Sequence, residues 1–194
     1  MAGSGNIKQR LLLHICCAPD ASVVVERLCP EFDITAFFYN PNIHPQKEHD
    51  IRLQEMLDLA ERMNVSCKSA EYDDQNWFAS IKGHESAPEG GSRCEICFRM
   101  RLERTAQVAI KQGFDIFATV LSVSPHKNAE LINKIGKELG TTHHIKFMEA
   151  NFKKKDGFKR SLELSRFYGL YRQDYCGCIF SKQEREARKK LKEG

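Results

Sequence analysis

The chain has 194 residues, of which 41% are hydrophobic and 29% are charged, and its formal net charge is +4. This length suits one sizeable hydrophobic core, and the modest charge permits a polyanionic partner without requiring one. No apolar run approaches the length of a membrane span, and the first six residues are small and polar, unlike a secretory signal. We therefore expect a cytoplasmic protein that does not act at a membrane.

The first predicted element is a buried strand over about Arg10–Ile15, which runs directly into the adjacent Cys16 and Cys17. A helix is expected from about Ala21 to Leu28, preceded by Asp20. Asp20 has two interpretations, as a helix N-cap or as a metal ligand or proton donor. In α/β proteins the carboxyl end of the first strand opens onto the ligand crevice, so these thiols indicate chemistry.

The rest of the chain alternates between predicted strands and helices. Strands are expected over 33–39, 65–69, 114–119 and 143–147, and helices over 46–63, 72–81, 99–111, 129–139, 158–168 and 180–192. Gly140 is expected to end the helix over 129–139 as its C-cap. Alternation predicts right-handed βαβ units, hence a Rossmann-like α/β fold with a mainly parallel, five-stranded sheet flanked by helices. We expect a single domain over 1–194, with a helical C-terminal extension over 151–194 that returns its cysteines to the crevice.

Eight cysteines in a reducing cytosol favour metal binding or redox catalysis over a disulfide framework. Cys29 and Cys67 stand alone and are interpreted as core residues or incidental thiols. The other six form three close pairs: Cys16-Cys17, Cys94-Cys97 and Cys176-Cys178.

Six cysteines exceed what one metal centre needs. Structural zinc takes four ligands, and a four-iron cluster also takes four thiolates. Two thiolates then remain for a redox disulfide or for a second metal, with Asp20 as a possible oxygen donor. Successive side chains leave an extended backbone in opposite directions, so Cys16 and Cys17 are not expected to bind one tetrahedral ion together.

Four segments in order resemble the QueH-type epoxyqueuosine reductases. They are Leu-His-Ile-Cys-Cys-Ala-Pro-Asp (13–20), Phe-Tyr-Asn-Pro-Asn-Ile-His-Pro (38–45), Arg-Cys-Glu-Ile-Cys-Phe-Arg-Met-Arg-Leu (93–102) and Gly-Leu-Tyr-Arg-Gln-Asp-Tyr-Cys-Gly-Cys (169–178). The resemblance implies two-electron removal of the epoxide oxygen from epoxyqueuosine at the tRNA wobble position. It also implies an iron–sulfur cluster, a nearby second metal, and a fold similar to PP-loop (HUP-like) nucleotide hydrolases.

One departure from PP-loop enzymes concerns the phosphate loop. Their Ser-Gly-Gly-type loop follows strand one, whereas this chain has Cys-Cys-Ala-Pro-Asp at 16–20. Without glycines to bring backbone N–H groups around phosphates, no ATP is expected.

Because Cys16 and Cys17 are expected to diverge, they should serve different centres, and we assign the [4Fe-4S] cluster that the resemblance implies to Cys17, Cys94, Cys97 and Cys176. Cys16, Cys178 and Asp20 are then expected to hold the second iron and to act in catalysis. An external donor would supply electrons, and Tyr175, His14 and His126 are conceivable proton donors or structural residues.

Contacts to tRNA are expected from the turn at 40–45 and from basic segments. Lys153, Lys154, Lys155, Lys159, Arg160 and Arg172 suit either phosphates or a solvated surface. The tail 185–192 is interpreted as an exposed helical face, and Tyr39 or Tyr175 as core residues that could instead stack on a base. The residues expected to bind substrate are Asn40, Asn42, Arg52, His126, Lys153, Lys154, Arg172 and Tyr175.

Two other functions compete with this one. A cluster-dependent tRNA thiolase would require a nucleotide site. A zinc-stabilised RNA-binding module would have no redox chemistry.

Overall fold

The computed structural model describes residues 8–193, so the polar N-terminal residues used in the cytoplasmic prediction lie outside the described residues. The described chain folds into one parallel sheet of five strands in the order β3-β2-β1-β4-β5. The strands are β1 (Gln9–Ile15), β2 (Phe32–Phe38), β3 (Ser66–Ser69), β4 (Ile116–Thr119) and β5 (Lys146–Phe147). The predicted parallel α/β architecture is confirmed.

Seven α-helices flank the sheet within residues 8–193. They are α1 (Ala18–Leu28), α2 (Gln46–Arg62), α3 (Asp74–Ser80), α4 (Ser92–Lys111), α5 (Ala129–Thr142), α6 (Gly157–Tyr168) and α7 (Ile179–Glu193). A short 3₁₀ helix, Val120–Val123, follows β4 directly. None of the helices in the described part of the chain is long and apolar enough to cross a bilayer.

Strand β1 lies at the centre of the sheet, between β2 and β4, and helices cover both of its faces. Leu11, Leu12, Leu13 and Ile15 are all fully buried, as expected for a central parallel strand. The chain pairs β2 on one side of β1 and later crosses to place β4 on the other side. This reversal of strand order opens a crevice at the carboxyl ends of β1 and β4, which is where α/β proteins bind ligands.

The C-terminal region is anchored on α1 and α2. Helix α6 packs against α1, and Arg27 Nη1 donates a hydrogen bond to the Phe152 carbonyl at 3.1 Å. Farther along, the Tyr171 phenol donates to a Glu48 carboxylate oxygen at 3.2 Å. These contacts bring the loop that carries the last cysteine pair to the crevice.

Three predicted helix boundaries are wrong. Helix α4 begins at Ser92, seven residues before the predicted start at Arg99, so Cys94 and Cys97 lie within the helix. Helix α1 begins at Ala18 with Cys17 as its N-cap, so Asp20 lies inside the first turn and is not the N-cap. Helix α5 continues through Gly140 to Thr142. Gly140 is required there for close packing, because a Cβ would lie 2.8 Å from the Ile145 carbonyl oxygen. The predicted strand over 143–147 correspondingly shortens to β5.

Candidate metal centre

The end of β1 brings three ligand atoms together in a group we call the triad: Cys16, Cys17 and Asp20. Their ligand atoms all lie within 4.8 Å of one another, and all three residues are buried. Cys16 Sγ lies 3.9 Å from Cys17 Sγ and 4.0 Å from Asp20 Oδ2. The spacing suits a single metal ion.

The predicted divergence of Cys16 and Cys17 is wrong. Alternation of side chains holds along a continuous strand, but β1 ends at Ile15 and Cys17 already caps α1. The change from strand to helix turns both thiols toward the same side. The argument that assigned these two residues to different centres therefore fails.

A second group, the quartet, contains Cys94, Cys97, Cys176 and Cys178. Cys94 and Cys97 lie in the first turns of α4, and their spacing of three residues puts them on one helix face. Cys97 packs with Cys178 in a buried cluster, and Cys94 shares the lining of a small cavity with Cys176. Among the described residues, only the triad brings three such ligand atoms within 4.8 Å of one another, so the quartet sulfurs are more widely spaced.

Two quartet sulfurs accept hydrogen bonds from the backbone. The Gly90 N–H donates to Cys94 Sγ at 3.2 Å, and the Ser181 N–H donates to Cys178 Sγ at 3.3 Å. Sulfurs that ligate iron clusters receive such N–H groups, which stabilise negative charge on the thiolate. These N–H groups oppose the effect of burial, which raises the pKa of Cys94, Cys97 and Cys176 in the metal-free protein.

Arg52 holds the loop that carries Cys176. Its Nη1 donates to the Cys176 carbonyl at 3.1 Å, its Nη2 to the Tyr175 carbonyl at 3.4 Å, and its Nε to Glu48 at 2.8 Å. The side chain is only 1% exposed. The sequence predicts that Arg52 binds substrate. This prediction is wrong, because all three guanidinium nitrogens already donate hydrogen bonds to protein groups.

Gly177 allows this loop to pass close to the arginine. Its φ is +128°, and a Cβ would lie 3.0 Å from Ile43 Cγ1 and 3.2 Å from Arg52 Nη1. The His44 N–H donates to the Gly177 carbonyl at 2.8 Å. A glycine is therefore needed between Cys176 and Cys178.

The substrate contacts predicted for Asn40 and Asn42, in the turn after β2, are also wrong. Asn40 is 1% exposed, donates to the Ile15 carbonyl at 2.8 Å and accepts a hydrogen bond from Arg101 at 3.4 Å. Asn42 is equally buried, and the Tyr175 phenol donates to the His44 carbonyl at 2.7 Å. These buried polar groups tie the turn to the end of β1 and to the loop that carries Cys176.

The triad has unequal proton affinities. The hydrogen bond with Cys17 lowers the pKa of Cys16 well below its usual value, and the positive charges of Lys127 and Arg101 assist. The same interaction, together with burial, raises the pKa of Cys17. Burial and the charge of Cys16 raise the pKa of Asp20 to about 7. At neutral pH the metal-free triad thus favours a thiolate on Cys16, beside an Asp20 carboxyl group that is in the middle of its titration.

Two cations, the half-buried Lys127 and the fully buried Arg101, join the triad to the quartet. Lys127 Nζ donates to Cys16 Sγ at 3.9 Å, and the loss of solvent around this ammonium is outweighed by the charges of Cys16, Cys176 and Asp20, which raise its pKa. Arg101 is 1% exposed, and the charges of Cys97, Cys176 and Cys16 likewise raise its pKa despite burial. Sequence reasoning missed both residues. The spacing of four residues between Cys97 and Arg101 on a buried helix face was the available signal.

A cavity of about 450 Å³ opens over Cys16, Asp20 and Cys176. His126, Arg172 and Tyr175, three of the residues predicted to bind substrate, line this cavity. Four basic residues line it as well, which the sequence analysis placed on an exposed helical face or did not assign. These are Lys127, Arg185, Arg188 and Lys189.

The predicted basic band contributes less to the cavity. Lys153 and Lys154 are not among its lining residues, and Lys153 Nζ donates to the Lys127 carbonyl at 2.7 Å. Arg160 forms ion pairs with Glu26 at 2.7 Å and with Glu163 at 2.9 Å. The basic residues of α7 are also paired, Arg185 and Lys189 with Asp174 at 3.1 and 3.0 Å and Arg188 with Glu184 at 3.3 Å, but unlike Lys153, Lys154 and Arg160 they line the cavity. Helix α7 therefore replaces the 153–160 segment as the rim that carries basic side chains.

His14 is buried and neutral. The Thr119 hydroxyl oxygen accepts from the Leu121 N–H at 3.2 Å, so its proton is free to donate to His14 Nδ1 at 2.9 Å. Nε2 then donates to the Tyr39 carbonyl at 3.2 Å. Burial lowers the pKa of His14 well below its usual value. The proton-donor hypothesis for His14 is thus contradicted.

A family model described as epoxyqueuosine reductase QueH matches residues 11–184. Proteins of that name share 38% identity over 91% of this chain and 71% of the Streptococcus pyogenes protein, and 44% over 89% of this chain and 80% of the Acinetobacter baylyi protein. The Thermotoga maritima protein of the same name is 38% identical over 90% of this chain and 91% of its own length.

Two solved structures share the fold at low sequence identity. The U34-tRNA thiolase NcsA from Methanococcus maripaludis, with its [4Fe-4S] cluster, has a TM-score of 0.58 and 16% identity over 92% of this chain and 64% of its own. A predicted tRNA methyltransferase subunit from Methanocaldococcus jannaschii has a TM-score of 0.51 and 14% identity over 80% of this chain and 74% of its own. These likenesses support the architecture alone.

Proposed function

The chain belongs to the epoxyqueuosine reductase QueH family, whose members are oxidoreductases, and from this we propose that it reduces epoxyqueuosine in tRNA to queuosine. The observation that carries the proposal is the convergence of six cysteines and Asp20 beneath one basic cavity. The thiols suit a metal-based reductant, and the basic rim suits an RNA backbone.

The thiol groups fit two metal centres of different size. We assign the quartet to a [4Fe-4S] cluster, because its sulfurs are the more widely spaced and two of them accept backbone N–H groups. We assign the triad to a second iron, because two sulfurs and a carboxylate oxygen within 4.8 Å can surround one ion. This exchanges Cys17 and Cys178 between the two centres relative to the sequence-based assignment.

The reaction breaks both C–O bonds of the epoxide, forms a C=C bond and releases the oxygen as water. It consumes two electrons and two protons, and an external one-electron reductant supplies the electrons. When bound, the cluster supplies electrons singly and the second iron acts as a Lewis acid for oxygen.

The chain's own residues position the substrate and stabilise charge. Arg172, Arg185 and Arg188 line the cavity and bind the phosphates flanking the modified nucleoside. Lys127 and Arg101 lie among the thiols and offset their negative charge in a region from which water is largely excluded. The cavity of about 450 Å³ has room for a single modified base over Cys16 and Asp20.

We propose that no nucleotide triphosphate takes part. Thiols occupy the position of a phosphate loop, and Pro19, in the first turn of α1, has no N–H to offer a phosphate. The thiolase alternative requires such a site, and the likeness to NcsA is one of fold.

The test is anaerobic reconstitution followed by iron and sulfide analysis, then incubation with a reductant and epoxyqueuosine-containing tRNA. We expect iron in excess of four per chain, with sulfide, and conversion of epoxyqueuosine to queuosine in the nucleoside digest. Cys29→Ser is the matched control, because that thiol is exposed and outside both groups. Stoichiometric zinc without iron would favour the RNA-binding module, and iron-replete protein that forms no queuosine would exclude the reaction.

A further inference from the structure

Trp77 carries a buried hydrogen-bond donor with no acceptor. The residue is fully buried, and within residues 8–193 its indole Nε1 has no hydrogen-bond partner. It packs in one buried cluster with Ile81, Cys97 and Cys178. An unsatisfied buried N–H destabilises the folded state, so a donor in this position calls for an acceptor.

Arg101 carries a second such donor beside the same cysteine. Its Nε donates to the Cys97 carbonyl at 3.2 Å and its Nη1 to Asn40 Oδ1 at 3.4 Å. Its Nη2 is buried and lacks a partner among the described residues. The guanidinium is therefore fixed by hydrogen bonds from Nε and Nη1, and Nη2 remains available as a donor.

Cys97 lies beside both donors, because Trp77 packs against it in the buried cluster and Arg101 Nε is hydrogen-bonded to its carbonyl. Burial raises the pKa of Cys97, whereas the charge of Arg101 and the indole of Trp77 act to lower it. Cys94 and Cys178 receive backbone N–H groups, but no such backbone donor to Cys97 Sγ is found in the described part of the chain. A neutral thiol is a weak acceptor and a metal-bound thiolate is a strong one.

We propose that Trp77 and Arg101 are positioning residues that donate hydrogen bonds to the Cys97 thiolate of the bound cluster and raise its reduction potential. This inference rests on the proposed function, because it requires the cluster. Reduction adds negative charge to the cluster, and donors directed at its sulfur stabilise the reduced state more than the oxidised state.

The experiment is a redox titration of the reconstituted protein, followed by electron paramagnetic resonance and visible absorbance. Trp77→Phe removes the N–H and keeps an aromatic ring. Phe78→Leu is the control, because the ring centroids of Phe78 and Trp77 lie 5.0 Å apart and this variant changes the packing around the indole without removing its N–H. We expect equal iron content and a lower midpoint potential in Trp77→Phe, by up to the 59 mV that equals a tenfold change for one electron. Phe78→Leu should match the wild type.

Arg101→Lys gives an independent measurement, because it keeps the charge and removes the forked donor. We expect its midpoint potential to fall as well, with normal iron content. Unchanged potentials in both variants at full iron content would overturn the inference and leave the proposed function intact. Loss of the cluster from both would overturn it too, since the residues would then serve assembly. Iron-free wild-type protein would instead refute the proposed function.

Discussion

The triad and the quartet differ in how the chain assembles them. The triad arises within five consecutive residues, where β1 gives way to α1, and its ligand atoms already lie within 4.8 Å. The quartet joins α4 to a loop near the C-terminus, and Arg52 and Gly177 hold that loop in place. Local backbone geometry thus determines one site, and tertiary docking determines the other. We expect cluster binding at the quartet to be coupled to the folding of the C-terminal region.

The largest expected difference between the two groups comes from removing one ligand of each. Cys97→Ser should abolish the visible absorbance of the cluster and lower activity by more than about 100-fold, since even residues that support ligands cost 10–100-fold. Cys16→Ser and Cys17→Ser should each lose activity while retaining the cluster absorbance. Anaerobic spectra with iron analysis measure both effects. Cluster loss in Cys17→Ser, but not in Cys178→Ser, would restore the sequence-based assignment.

The next effect concerns the loop clamp. Arg52→Met removes three hydrogen bonds and leaves the buried Glu48 carboxylate without its cation, with only the Tyr171 phenol still donating to it. This should lower the free energy of unfolding by about 3 kcal/mol. Cluster affinity should fall about 10-fold or more, whereas binding of one ferrous ion at the triad should persist. Urea unfolding and metal titrations check these outcomes. Lys47→Met, an exposed change on the same helix, is the control, and equal losses in both variants would contradict the clamp.

A smaller effect comes from the buried carboxyl group of the triad in metal-free protein. The folded-state pKa of Asp20 is about 7, above its ordinary value of 3.8, so the folded state binds the proton more tightly. Stability therefore falls as the pH rises from about 4 to about 7 and then levels off. Asp20→Asn should be more stable than the wild type at pH 8, where the buried carboxylate is ionised, and should match it below pH 4. Urea unfolding of metal-free protein across this range is the measurement, and parallel pH profiles would contradict the assignment.

The sequence predicted more of the fold than of the site. Hydrophobic runs such as Leu11–Ile15 identify strands because burial on both faces of a parallel sheet is a local requirement. Cysteine spacing likewise identified the six thiols, but not the approach of Cys16 to Cys17, because that depends on where β1 ends. The burial of Arg52 and the placement of α7 on the cavity rim depend on contacts between distant segments, and periodicity carries no signal for them.

The smallest expected effect concerns the basic rim, which α7 contributes on the quartet side of the cavity. Arg188 lines the cavity and is largely exposed, so Arg188→Ala should raise the KM for tRNA about threefold, leave kcat unchanged and reduce the salt dependence of binding. Lys154→Ala is the matched control, because Lys154 is exposed but does not line the cavity. Steady-state kinetics at two salt concentrations provide the measurement. A larger effect from Lys154 than from Arg188 would return the tRNA path to the segment before α6 and remove α7 from the interface.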